Sequence, residues 1–251
     1  MADWTMKGLP WDDPLRIRTV SELTSWISEI GFLPFFANEV TGFSVEEHTA
    51  SRAWWTGNRE SDPWEWREEI AASHKVAYGK FFGGRAGFIS PDWLPCFANA
   101  RRLGWDFDGK WQDGRASARE KAIMAFFVNP ESPDEPEFTG ASILSTELKK
   151  RAGFGKGGAK NYPGILTGLQ MQLYLVIGNF RRRTNVRGSE YGMPVSVIMT
   201  PESIWGYPLM SSAYGEEPSE SWQRIHDHTR RLWPGAEERD IVGLIGKRPE
   251  E

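Results

Sequence analysis

Two short β-branched runs, LYLVIG (173–178) and PVSVIM (194–199), close a series of short helical patterns, and this order constrains the fold more than any other feature of the chain. Runs of this kind suit buried strands, because branched side chains pack well on a pleated surface. Upstream, ASAREKAIMAFFV (116–128) predicts a helix, SPDEPEF (132–138) a loop, and STELKKRAG a helix capped by Ser145 and stopped at Gly153. FGKGGAKN then reads as a glycine-rich turn, and NYPGILTGLQMQL places Ile165, Leu166, Leu169 and Leu173 on one helix face. Helix, helix, turn, helix, strand, long connection, strand is the order of a winged helix-turn-helix unit, here over residues 116–200. In such units the last helix enters a DNA groove and the hairpin lies over the backbone.

The connection between the strands is basic. It carries Arg181, Arg182, Arg183 and Arg187, and the three consecutive arginines are expected to project together from an exposed hairpin tip. Residues 147–190 hold nine Lys or Arg against two acids, a local charge of +7, although the whole chain is at −4 and its remainder therefore at −11. Phosphate binding depends on local cation density rather than on net charge, so an acidic chain can bind nucleic acid through one basic face. Lys149, Lys150, Lys156 and Lys160, with Arg181, Arg182, Arg183 and Arg187, are the candidate DNA contacts. Exposed hairpins also carry charge for solubility and to block edge pairing, and that alternative stays open.

The flanks are predominantly helical. TVSELTSWISEIG has capping-box spacing at Thr19 and Glu22, with Val20, Leu23, Trp26, Ile27 and Ile30 on one stripe and Gly31 as its stop. In WWTGNRESDPWEWREEI, Asp62 is an N-cap and Pro63 the first helical residue; Trp66, Ile70, Ala77 and Phe81 predict one helix down to Gly83-Gly84. Ser90-Pro91 starts a third helix towards Arg102, while TPESIWG and SESWQRIHDHTRRLW add C-terminal helices with Trp222, Ile225 and Leu232 inward. The expected fold class is mainly helical α+β, with a Trp-rich helical region at 1–115, the winged unit at 116–200 and a helical extension at 201–251 packed on the same body. Thirteen tryptophans predict a core rich in aromatic area. No apolar run is long enough to span a membrane and no signal-peptide pattern opens the chain, so a cytoplasmic protein is expected; single Cys96 leaves no disulfide or thiolate cluster.

Few motifs carry chemistry. Gly153, Gly155 and Gly158 spell G-x-G-x-x-G, but a helix precedes them where the phosphate fingerprint needs a strand, so a turn explains them better. His226 and His228 diverge on a helix, and neither a metal nor a cofactor is expected. Trp64, Trp66 and Tyr78 could line an aromatic cleft for a base or small ligand; alternatively the block is core, with Asp62 and Glu65 serving only as helix caps.

The blocks GFLPFF, WWTG with DPWEWR, AYGKFF, GFISPDWLP and LQMQLYLVIGNFRRR, with EYG and IWG, resemble a group of bacterial proteins related to the AlkZ/YcaQ winged-helix DNA glycosylases. The resemblance covers most of residues 20–206 and implies DNA as partner, with recognition of damaged bases as the associated activity. Those glycosylases use a Gln-apolar-Gln motif, which Gln170-Met171-Gln172 matches in letters but at the end of the last winged-unit helix. A glutamine amide does not titrate and can act only by orienting a water or stabilising charge. Two residues apart on a helix, these side chains are expected not to converge, so binding without base release is expected. The competing class is a non-enzymatic interaction or small-ligand module that uses the winged unit for protein contacts; the oligomeric state is left open.

Overall fold

The computed structural model describes residues 6–129, 136–185, 187, 188 and 190–250, so most of the expected SPDEPEF loop lies outside the described residues. Helix α1, Val20–Ile30, starts where the Thr19 side chain accepts the Glu22 N–H at 3.1 Å and stops at Gly31, whose φ of 90° favours glycine. It buries Leu23 and Ile27 and leads into strand β1, Phe32–Pro34. Helix α2, Pro63–Ser73, begins as expected, with the Asp62 carboxylate accepting the Trp64 N–H at 2.9 Å.

The expectation that α2 runs to Gly83 is corrected. It ends at His74, which adopts φ 55°, and the chain re-enters as strands β2, Ala77–Phe82, and β3, Arg85–Ile89. Gly83 and Gly84, with φ of 57° and 78°, are the two-residue loop between the paired Phe82 and Arg85. Positive φ at both central residues is what a tight hairpin turn requires, and a Gly-Gly pair that serves this turn has the same letters as a helix stop. GFLPFF supplies the third strand, in a sheet of order β1-β3-β2, so the N-terminal region is helix plus sheet rather than helical.

A 3-10 turn at Pro91–Trp93 precedes α3, Leu94–Arg102. Then come α4, Phe107–Gln112, and α5, Ala118–Met124, the latter with a full capping box between Ser117 and Glu120. Strands β4, Val128–Asn129, and β5, Glu137–Phe138, pair with each other. Strand β6, Ile143–Leu144, runs into α6, Ser145–Arg151, so Ser145 is the first helical residue and makes no cap bond. Helix α7, Tyr162–Met171, follows the glycine turn, and strands β7, Val176–Thr184, and β8, Glu190–Met199, form a long antiparallel hairpin. The sheet order is β6-β8-β7. Helices α8, Pro201–Trp205, α9, Tyr207–Met210, α10, Pro218–Leu232, and α11, Glu238–Ile245, complete the chain.

The apolar residues bury into two cores. One gathers Leu23, Phe32, Phe35, Trp66, Phe82 and Phe97 with Ile225 and Leu244 from the C-terminal helices. The other gathers Phe107, Ile123, Phe127, Leu148, Leu169, Leu175 and Ile198, and Ile177 on β7 packs against both. The second core therefore coincides with the stretch from α4 to β8, and the hairpin is the element the two cores share.

Candidate nucleic-acid interface

Glycine chemistry shapes the turn between α6 and α7. Gly153 closes α6 at φ 76°, Gly155 and Gly157 lie at 147° and 81°, and the Ala159 N–H donates to the Gly153 carbonyl at 3.0 Å. Phe154 is pinned beneath this loop against Tyr162, ring centroids 5.3 Å apart. With the apolar side of the loop buried, Lys156 and Lys160 are left on its outside, and Lys149 and Lys150 lie on the exposed last turn of α6. Arg151 pairs with Glu147 at 3.3 Å, whereas none of these four lysines has an ion pair among the described residues. Four uncompensated ammonium groups on one short segment concentrate positive potential there.

The arginine run is arranged differently from the expectation. β7 continues through Arg181, Arg182 and Arg183 to Thr184, and Arg181 and Arg183 are paired with β8, so the three arginines belong to a paired strand and do not project together from a hairpin tip. The pairing of β7 with β8 shifts register between Arg181 and Arg183, so simple strand alternation does not place these side chains. Arg181 is exposed, whereas Arg182 is half-buried and turns back on α2, its Nη2 3.8 Å from Glu65 Oε2. The Arg183 side chain lies outside the described residues. Arg187 is exposed at the tip, where the Asn185 side chain accepts its N–H at 2.9 Å.

Helix α7 offers little for reading bases. Its exposed residues include Pro163, Gly164 and Met171, with Thr167 and Gly168 half-buried, and none carries a charged or amide head group. A Cβ placed on Gly84 would stand 3.5 Å from Thr167 Cγ2, so the β2–β3 turn already lies against the middle of this helix.

Gln170 and Gln172 are turned apart. Gln170 is 2% exposed; its Oε1 accepts the Lys80 N–H at 3.0 Å, which ties α7 to β2, and its Nε2 donates to the Leu166 carbonyl at 3.3 Å. Gln172 faces α4 instead, accepting from Lys110 Nζ at 2.6 Å, while Lys110 also meets Glu120 at 3.2 Å. Gln170→Ala is thus expected to act on folding: the part-buried Lys80 N–H loses its acceptor and the buried amide its packing, at a cost of about 1–3 kcal/mol read from the denaturant midpoint.

Among the described residues no open cleft forms over Trp64, Trp66 and Tyr78, because the three rings are drawn into packing. Trp66 and Tyr78 are buried in the first core, and burial pushes the Tyr78 hydroxyl up to about 12. Trp64 is half-buried beneath Arg67, whose guanidinium lies 3.8 Å from that ring and 4.7 Å from Phe180 on β7. Arg67 in turn pairs with Glu68 at 3.0 Å. The Trp-rich helix is therefore the seat of the basic hairpin. His74 adds to this seat, its Nε2 2.9 Å from the Gly178 carbonyl. His226 and His228 are separately engaged, with Glu238 and with the Ile30 carbonyl.

Sequence reasoning missed one polar cluster. Arg102 on α3 meets Glu202 on α8 at 2.6 Å and the Tyr214 hydroxyl at 2.9 Å, and it donates to the Leu173 carbonyl at the end of α7. Asp106 accepts from Tyr207 at 2.7 Å and from Tyr214 at 3.0 Å. Nearby Asp108 is buried, its Oδ1 without a hydrogen-bond partner among the described residues, and burial raises its pKa. The partners lie about a hundred positions apart, so no local spacing could reveal them.

Among the described residues no helix is long and apolar enough to cross a membrane, and no cluster of three or more His, Cys, Asp or Glu could hold a metal ion. No curated protein matches the chain. Among solved structures, the Streptomyces sahachiroi DNA glycosylase AlkZ is similar over 92% of this chain at 12% identity and a TM-score of 0.38. The match covers 59% of the glycosylase chain, so this chain spans less than two thirds of its length. The AlkZ-related family model matches residues 17–246, which takes in both packed cores and the basic hairpin, and the chain belongs to that family.

Proposed function

We propose that the chain is a winged-helix nucleic-acid-binding protein that holds duplex DNA chiefly by its phosphates. The observation that carries this is the succession β6, α6, α7, β7, β8, which follows α5 and the short β4–β5 pair, with sheet order β6-β8-β7, combined with four lysines free of ion pairs among the described residues, on and beside the turn between α6 and α7. In a winged helix that turn and the hairpin flank the duplex, and here both carry exposed cations, including Arg181 and Arg187. Membership of the AlkZ-related family favours DNA as the polyanion. Base-specific readout by α7 is not part of the proposal, because its exposed positions lack the bidentate donors that discriminate base pairs. Nor is base hydrolysis by Gln170 and Gln172, whose amides are engaged in different places.

The test is duplex affinity as a function of salt. Log affinity is expected to fall linearly with log salt, with little dependence on sequence. Lys156→Gln together with Lys160→Gln should flatten the slope by up to about 0.9 for each phosphate left without its cation, and Arg181→Ala with Arg187→Ala should do the same. Because these side chains are exposed, the variants keep their fold. A slope that neither pair alters would remove both from the interface and overturn the proposal.

A further inference from the structure

Where α3, the end of α7 and α11 meet, a groove of about 300 Å³ is lined mainly by apolar side chains, among them Phe81, Leu103, Met171 and Leu244. We infer that this groove binds a small organic acid, an apolar body carrying one carboxylate, with Arg101 as its anchor. Taking about 30 Å³ for each water-sized group, it holds roughly ten of them, which suits a small ligand.

The first ground is apolar exposure. Leu103 and Met171, both on this groove, are among the few large hydrophobic residues left open to solvent, at 46% and 37%. The second is charge. Arg101 donates to the Met171 carbonyl at 3.0 Å and to the Ile245 carbonyl at 3.2 Å, and has no carboxylate partner among the described residues. Both carbonyls lie at helix C-termini, where the partial negative charge holds a cation in place without neutralising it as a carboxylate would. A guanidinium has five N–H donors, so three remain for a ligand. Burial lowers the Arg101 pKa only to about 9, and it stays charged at neutral pH.

The third ground is the absence of competition: among the described residues no Asp or Glu lines the groove, and Lys247 adds a second cation at its edge. A cation offered to an apolar groove, with two of its donors already directed, is matched by a planar carboxylate on an apolar body. A neutral apolar molecule would leave the guanidinium unmet, and an amine would be repelled.

The probe is 4-phenylbutyrate, titrated calorimetrically into the full chain beside 4-phenylbutan-1-ol and 4-phenylbutylamine; no nucleic acid is needed, so the outcome is independent of the proposed DNA binding. The acid is expected to bind about tenfold or more tightly than the alcohol, as a charge-assisted bond requires, and the amine not at all. Arg101→Gln should abolish the preference for the acid. Since that change also removes bonds to two helix ends, Leu103→Asp is the second variant. Leu103 is half-exposed with φ 58°, a conformation aspartate tolerates, and a carboxylate there should weaken the acid about tenfold or more while sparing the fold. Equal binding of acid and alcohol, no binding of the acid, or acid affinity unchanged by Leu103→Asp would each overturn the assignment.

Discussion

Arg102→Met is expected to lower the unfolding free energy by about 3–5 kcal/mol in urea titrations at neutral pH, among the largest effects of any single substitution here. Arg102 is 3% exposed and Glu202 7%, so neither charge has water to fall back on. The guanidinium closes three contacts at once: the Glu202 carboxylate, the Tyr214 hydroxyl and the Leu173 carbonyl, with Asp106 at 3.7 Å behind them. Removing it strands a carboxylate among tyrosines and leaves a buried carbonyl unpartnered. The pH dependence follows. Burial raises the Glu202 pKa while Arg102 opposes the rise, so without Arg102 the folded-state pKa climbs further above its unfolded value. The folded variant then binds more protons than the unfolded chain, and its deficit should shrink as pH falls from neutrality towards the unfolded value of about 4.3. Combining Arg102→Met with Glu202→Leu should recover much of the stability, because a buried pair replaced by apolar groups is far less damaging than one broken in half. A double variant no better than Arg102→Met alone would show that the tyrosine and Leu173 contacts, rather than the ion pair, carry the stability.

The contrast between α2 and the sheet beside it shows which parts of the fold are legible in sequence. Helix starts are local events: Thr19, Asp62 and Ser117 each accept from backbone two or three residues on, and all three follow from short spacing rules. Strand pairing is not local. AYGKFF shares its apolar spacing with a helix turn, and only its pairing with β3 decides between them. The same limit governs the basic face. Lys156 and Lys160 are legible because a glycine turn dictates its own exposure. The arginine run is not, because strand β7 outruns its apolar core by several residues, leaving Arg181 exposed while Arg182 turns back on Glu65 of α2. Arg102 and Glu202 lie beyond any spacing rule, since each looks like an ordinary surface charge on its own short helix.

Trp66→Ala, the second large effect, is expected to cost about 3–5 kcal/mol and to show that the Trp-rich helix is a structural seat before it is anything else. Trp66 is 1% exposed, on the face of α2 that also buries Ile70 and Ala71 in the first core. Truncation to alanine removes most of a large aromatic side chain from close-packed surroundings, and the cavity left behind adds to the forfeited transfer energy. A second substitution separates shape from polarity. The Trp66 Nε1–H is buried without a partner among the described residues, so the indole carries an uncompensated desolvation cost of about 1–3 kcal/mol. Trp66→Phe removes that N–H together with part of the ring, and the two effects oppose each other; it should therefore lie well below the alanine variant in cost. The consequence reaches the hairpin, because Arg67, one residue on, bridges Trp64 on α2 and Phe180 on β7. Loosening α2 should accordingly speed amide exchange in β7 as well as in α2, while α5 and α6, which rest on the other core, keep their protection. Unchanged exchange in β7 would show that the basic hairpin is held by its own core and not by the tryptophan helix.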